Sequence, residues 1–372
     1  MPAERTLPGG TLAALGLSIP IVWSDAHRLH EPDGEIWVGT RTPATEVPAR
    51  AERIRETLAG AGAPVVEAER HDDGWLTAVH DPALVRFLAG AWDAWETAGL
   101  PVDPGQNRVV PYIFPLPGLL NGRAPLEPAA TWARTGAHCF DTMTLLGPGT
   151  WEAARAAADT ALSAAARVAA GTPAAYALCR PPGHHVTSSA YGGSCYLNNA
   201  ALAAARLRGE GADRVALLDI DAHHGNGAQE IFWERADVFT ASVHVDPQSG
   251  WFPHFLGAAA ERGAGAGLGA NRNVPLAPGT GDGEWLRAVA EIAQAARAHG
   301  AEAIVLALGV DAARADPESP LQVSAAGYRE AGRIVGAYGL PTVVVQEGGY
   351  DLASIGELVL ATLEGLEAGL AE

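Results

Sequence analysis

Apolar positions along the chain gather into short runs separated by longer, alanine-rich stretches. Residues 175–179, 215–220, 238–243, 303–308 and 342–346 are near-continuous apolar runs of five or six residues, the pattern of strands buried on both faces. Residues 151–170, 199–208, 283–299 and 324–338 are helical stretches, and Thr150 and Ser324 stand where an N-cap is expected. From residue 150 onward strand and helix alternate without a linker or low-complexity tract. That alternation predicts an α/β fold of three layers, αβα, around a mostly parallel sheet of about eight strands.

The carboxyl end of each run carries a polar motif. Arg180-Pro181-Pro182-Gly183-His184-His185 comes after the first, Asp219-Ile220-Asp221-Ala222-His223-His224 closes the second, and Ser242-Val243-His244-Val245-Asp246 closes the third. Gly309-Val310-Asp311 comes after the fourth and Glu347-Gly348-Gly349-Tyr350 after the fifth. Ligands of open α/β sheets bind at the carboxyl ends of the strands, so five polar motifs converge on one rim.

On an extended chain Asp219, Asp221 and His223 project to the same side. Asp311 arrives at the same rim from far along the sequence, giving an Asp221-His223-Asp311 site for Zn²⁺ or another borderline divalent ion with one position open to water. Asp316 competes with Asp311, but an Asp before Pro more often starts a turn. His184 and His185, in a loop stiffened by two prolines, suit a general base and acid, and either is also a possible fourth ligand. Asp219 would orient one of these histidines, and Asn226 the other more weakly. Tyr350 follows two glycines that let its phenol approach a developing oxyanion.

Composition narrows the class. The chain has 372 residues, 48% hydrophobic and 18% charged, enough for one large α/β domain over 1–372 with residues 1–18 peripheral. No run of about 18 apolar residues predicts a membrane span, and residues 1–20 lack the basic head and apolar stretch of a signal peptide. Cys139, Cys179 and Cys195 are odd in number and widely spaced, which suggests neither a disulfide framework nor a zinc knuckle and fits a reducing cytoplasm. A net charge of −18 disfavours nucleic acid and mildly encourages a cationic substrate. The glycine-rich stretch 263–269 lacks the Gly-Lys-Ser/Thr ending of a phosphate-binding loop. His30, His71, His138 and His299 are expected at the surface or at helix ends.

These motifs resemble the histone deacetylases and acetylpolyamine amidohydrolases of the arginase-deacetylase fold. The resemblance runs from Val22-Trp23-Ser24-Asp25-Ala26-His27 through Val79-His80-Asp81-Pro82 to the Tyr350 loop. Tyr191-Gly192-Gly193-Ser194-Cys195-Tyr196-Leu197-Asn198-Asn199 belongs to it. Residues 251–257, residues 148–154 and Asn226 are more similar to the bacterial acetylpolyamine branch. The resemblance implies zinc held by Asp221, His223 and Asp311, proton handling by His184 and His185, and carbonyl polarisation by Tyr350. It implies that Gly193 accepts the substrate amide N–H through its backbone carbonyl. A structural potassium ion would be held by Asp219, Asp221, His223, Ser242 and Val243, and a second monovalent ion by Phe232, Arg235 and Val238.

Two positions bear on substrate choice. Ser194 stands where the family usually has one aromatic wall of the acyl-amine tunnel, while Phe252 keeps the opposite wall, so a wider or more polar tunnel is expected. Trp132 falls where the polyamine branch carries an acidic residue for the ammonium tail, and its face offers cation–π attraction instead. Residues 28–48 resemble an inserted loop that polyamine relatives use to dimerise, and a plain surface loop is equally compatible. The expected substrate is a small N-acyl amine. A protein acyl-lysine deacylase and a non-catalytic binding homologue are the alternatives, and an arginase-like dinuclear hydrolase is disfavoured because extra carboxylates for a second metal are not evident.

Overall fold

The computed structural model describes residues 16–99 and 108–372. Among the described residues ten strands form in chain order: β1 (Ile21–Trp23), β2 (Glu35–Trp37), β3 (Thr40–Thr42), β4 (Val65–Glu67), β5 (Ala174–Ala177), β6 (Val215–Asp219), β7 (Val238–Val245), β8 (Asn271–Leu276), β9 (Ala303–Leu308) and β10 (Thr342–Gln346). Eight of them build one sheet in the order β4-β1-β5-β10-β9-β6-β7-β8, with every neighbouring pair parallel. The five apolar runs of the sequence are the contiguous block β5-β10-β9-β6-β7 at its centre. Its neighbours β1 and β4 are only three residues long, and β8 carries two asparagines and a proline, so neither offers a long apolar run.

The helices are α1 (Ala49–Gly60), α2 (Pro82–Ala98), α3 (Pro117–Leu120), α4 (Thr131–His138), α5 (Thr150–Ala169), α6 (Asn199–Gly209), α7 (Asn226–Ile231), α8 (Asp282–His299), α9 (Ala325–Gly336) and α10 (Ile355–Leu370). Alternate strand residues feed opposite faces, as the two-residue period requires. Val343 and Val345 pack with α2, α5 and α6. Val344 packs with α1, α8, α9 and α10 on the other face. Three layers result, and the central strands are fully buried because both faces are covered.

Local signals were met with small shifts. Ser324 caps α9 by accepting from Gly327 N. At α5 the N-cap is Gly149, not Thr150; Thr150 is the first helical residue, and its hydroxyl accepts from Gly147 N at 3.0 Å. His299 closes α8 as expected. His30 is not at the surface: it is 1% exposed, with Nδ1 3.0 Å from the Thr150 hydroxyl and Nε2 3.6 Å from Glu46. It is drawn inward because residues 28–48 pack part of their length into the molecule rather than lying on it. His71 and His138 are half-buried. His71 Nε2 lies 2.9 Å from the Ser163 hydroxyl, and His138 stacks on Phe87.

Residues 28–48 are also more regular than a plain loop. β2 and β3 form an antiparallel hairpin turned by Val38 (φ 48°) and Gly39 (φ 75°), the two positive dihedrals that a tight hairpin turn demands. Of residues 1–18, those from 1 to 15 lie outside the described residues, and Leu17 is buried. All three cysteines are buried and free. Among the described residues, no helix is long and apolar enough to cross a membrane.

Candidate metal centre and active site

The rim predicted from the strand ends forms. Asp219 ends β6, Asp221 and His223 lie in the turn beyond it, and Asp311 lies just past β9, the neighbour of β6 in the sheet. The Asp221, His223 and Asp311 side chains place ligand atoms within 4.8 Å of one another. His223 Nδ1 is 3.2 Å from Asp221 Oδ1 and 3.0 Å from Asp311 Oδ2. The carboxylates are aimed by the backbone: Asp221 accepts from His223 N and Gly348 N, and Asp311 accepts from Ala222 N, each at 2.8 Å. Gly309 and Gly348 are glycines because a Cβ at either would run into Asp221.

Asp221 and Asp311 are wholly buried, and two carboxylates this close require a cation. Burial works against the charged form of His223, but its bonds to Asp221 and Asp311 hold its pKa well above the ordinary imidazole value. A buried Asp/His/Asp set with O and N donors fits Zn²⁺. Asp316, the rival, faces another way, accepting from Tyr350 N at 2.6 Å and Asp351 N at 3.1 Å.

His184 and His185 lie beside this cluster with ring centres 4.0 Å apart. His184 Nδ1 lies 2.9 Å from Asp219 Oδ2, and His185 Nδ1 lies 2.7 Å from Asn226 Oδ1. Asn226 Nδ2 donates to the His185 carbonyl at 3.0 Å, which fixes the amide orientation. His185 therefore carries its proton on Nδ1, leaving Nε2 as an acceptor. Burial, and then the neighbouring His184 and His223, press the His185 pKa well below its usual value. Burial opposes charge on His184 too, but Asp221 and Asp219 raise its pKa to about 10. His224 turns away, bonding Gln229 and packing against His244.

Tyr350 is half-buried; burial pushes its phenol well above the usual value, with Asp311 and Asp221 adding to the shift and Arg50 opposing it, so it stays a hydrogen-bond donor. Gly349 enters this loop at φ 121°, a conformation that glycine adopts without strain.

Of the five residues expected to hold potassium, Asp219 and Ser242 are paired where β6 and β7 run side by side, and Val243 is the next residue. The Ser242 hydroxyl accepts from Gly225 N and lies 2.8 Å from His244 Nδ1. Phe232, Arg235 and Val238 lie on the short path from α7 into β7, where Arg235 N donates to the Phe232 carbonyl. The Phe252 ring stands nearly perpendicular to that of His185, with centres 4.8 Å apart, and Gly193 lies against both rings. Ser194 is half-buried at φ 60°. Trp132 is half-buried on α4; among the described residues, Phe252 and Trp251 are the non-histidine rings that touch His185 or His223.

Three groups were not singled out from sequence. Glu347 Oε2 accepts from Gly183 N at 2.6 Å and His184 N at 3.0 Å, and burial pushes its pKa up to about 7 against the opposing influence of His184. Its place at a strand end was the available signal. Arg50 on α1 touches the Tyr350 ring, and Trp251 stacks over His223 at 6.5 Å. No local pattern marks Arg50, whereas Trp251 stands in the 251–257 motif without having been given a role.

Fold and rim together define the class, a three-layer αβα amidohydrolase with carboxylates, imidazoles and a phenol gathered at the strand ends. The chain belongs to the histone deacetylase family, whose domain matches residues 44–366. It is 41% identical to an acetylpolyamine amidohydrolase of Mycoplana ramosa over 93% of this chain and 99% of that one. Acetylpolyamine amidohydrolase 2 of Pseudomonas aeruginosa is 39% identical over 93% and 98%. Among solved structures, an acetylpolyamine aminohydrolase from Burkholderia pseudomallei superposes with a TM-score of 0.88 at 39% identity, covering 95% of this chain and 99% of that chain.

Proposed function

We propose that this deacetylase is a zinc-dependent amidohydrolase that removes acetyl groups from small N-acetylated amines, acetylpolyamines among them. The observation that carries the proposal is the convergence of Asp221, His223 and Asp311 within 4.8 Å beside His184, His185 and the Tyr350 loop. The names of the relatives that match almost the whole chain supply the substrate class.

Zinc held by these three side chains would lower the pKa of a water towards about 7 and polarise the acyl oxygen. His185, neutral with Nε2 open, takes the proton as water attacks and returns it to the departing amine. His184, oriented by Asp219, helps keep the pKa of His185 low, so that the base is neutral when water attacks. Tyr350 donates to the oxyanion that develops on the acyl oxygen. Potassium behind this centre, held by Asp219, Asp221, His223, Ser242 and Val243, would balance the buried carboxylates; a second monovalent ion would sit by Phe232, Arg235 and Val238. Three free, buried cysteines are in keeping with a cytoplasmic protein. A homodimer through residues 28–48 is part of this proposal, with Trp37 and Val38 at the hairpin tip 61% and 80% exposed.

The test is kcat/KM of the zinc-loaded protein for acetylputrescine, acetylspermidine and an acetyl-lysine peptide. Highest efficiency on the two acetylated polyamines is the expected result. A higher value on the peptide moves the assignment to protein deacylation, and hydrolysis of none of them removes the proposal.

A further inference from the structure

Loss of an aromatic wall at Ser194 leaves a question of what faces Phe252. The answer comes from another part of the chain. Phe140, just past α4, lies near-parallel to Phe252, with ring centres 6.3 Å apart and planes 24° apart. A Cβ on Gly192 would strike the Phe140 ring, and one on Gly193 would press on His185 and Phe252. The two rings therefore rise on either side of the Gly192–Gly193 peptide, next to His185.

Phe140 is fixed there by its neighbours. Phe140 N donates to the Tyr191 carbonyl at 3.1 Å and Tyr191 N to the His138 carbonyl at 2.7 Å. Asp141 accepts from Gly193 N at 2.6 Å, and the Thr144 hydroxyl accepts from Ser194 N at 2.9 Å. Asp141 also accepts from the backbone N–H groups of Met143 and Thr144. Residues 138–144 are thus bolted to the turn that carries Gly193, so a displacement of one moves the other.

Resting on the proposed deacylation, we infer that Phe140 is the second wall of the acyl-amine channel and grips the methylene spacer of the substrate against Phe252. Carbon surfaces meet at about 3.5–4.0 Å, so a polymethylene chain between two ring faces needs about 7–8 Å. With ring centres 6.3 Å apart, the two rings would have to part by about 1 Å to admit one chain and touch it on both sides. Phe140 is 37% exposed, and a buried methylene between such faces gains up to about fourfold in affinity.

The probe is a series of straight-chain alkyl hydroxamates with two to six methylenes, titrated calorimetrically into the zinc-loaded protein. Each added methylene should lower Kd by about two- to fourfold in the parent. In Phe140→Ala that gain per methylene should fall by about half, while Phe140→Tyr should keep it. Phe140→Leu, with a smaller face and a milder demand on folding, should fall between. Metal content and circular dichroism confirm that the variants are folded. Equal gains per methylene in the parent, Phe140→Ala and Phe140→Leu would overturn the assignment. Turnover of acetylated diamines by the parent is measured separately, so failure of the deacylase proposal is told apart from failure of the wall.

Discussion

The guanidinium carbon of Arg50 lies 4.6 Å from the centre of the Tyr350 ring. The same side chain donates to the carbonyls of Gly349 at 2.5 Å and Glu347 at 2.6 Å. Behind it, Glu46 is 2.8 Å from both Arg50 and Arg180. The loop bearing the phenol is thus tied down from α1. Burial and the two guanidiniums act in opposite directions on Glu46, and the guanidiniums hold its pKa below the usual value.

Arg50→Met should therefore lower kcat by about 10- to 100-fold, the scale expected when a reacting group is misplaced by about 1 Å. Zinc content should not change, since Asp221, His223 and Asp311 keep their own backbone donors. A kcat within twofold of the parent would show that the Tyr350 loop holds its place without Arg50.

Tyr350→Phe removes the phenol hydroxyl and keeps the ring that Arg50 covers. Losing one oxyanion donor typically costs about 10²–10³ in rate. The variant should bind zinc normally and show that loss in kcat with little change in KM. Normal turnover would remove Tyr350 from the mechanism.

How much of this was legible beforehand differs between ligands and supports. Asp221, His223 and Asp311 could be named because parallel strands deliver their carboxyl ends to one rim, and the motif at each end is local in sequence. The central block β5-β10-β9-β6-β7 was legible for the same reason, since burial on both faces writes an unbroken apolar run. Arg50 and Phe140 were not legible, and the role of Trp251 was not, because their contacts join separate segments of the chain and leave no local period. The inward packing of His30 belongs with them, being set by Glu46 and Thr150 rather than by its neighbours in the chain. Phe140 shows the converse of Ser194: position 194 drew attention because it lies in a motif, whereas the ring that stacks on Phe252 comes from a segment that no motif marks.

Asn226→Asp places a carboxylate 2.7 Å from His185 Nδ1 in place of a neutral amide oxygen. Burial, His184 and His223 keep the parent His185 pKa low, and a new negative charge raises it. The base must be neutral to take a proton, so the acidic limb of the kcat/KM profile should move to higher pH. Superimposable acidic limbs in the two proteins would show that the group titrating there is not His185.

Metal removal ties the same electrostatics to stability. Without a bound cation, the bonds to Asp221 and Asp311 outweigh burial and raise the His223 pKa, while burial and then Asp221 raise that of Asp311. A raised histidine stabilises fully below its unfolded value and loses that contribution as pH climbs through the folded one. A raised carboxyl acts in the same direction, because the folded state holds a proton that the unfolded state has already released. The chelated protein should therefore melt at a lower temperature at about pH 8.5 than at about pH 6, whereas zinc needs His223 deprotonated and displaces these protons on binding. The rise in Tm on adding zinc should consequently be larger at about pH 8.5, and activity lost to a chelator should return with the metal. Thermal melts at the two pH values, with and without zinc, measure this directly. An equal zinc-dependent rise at both would mean that protons and metal do not compete for the Asp221, His223 and Asp311 cluster.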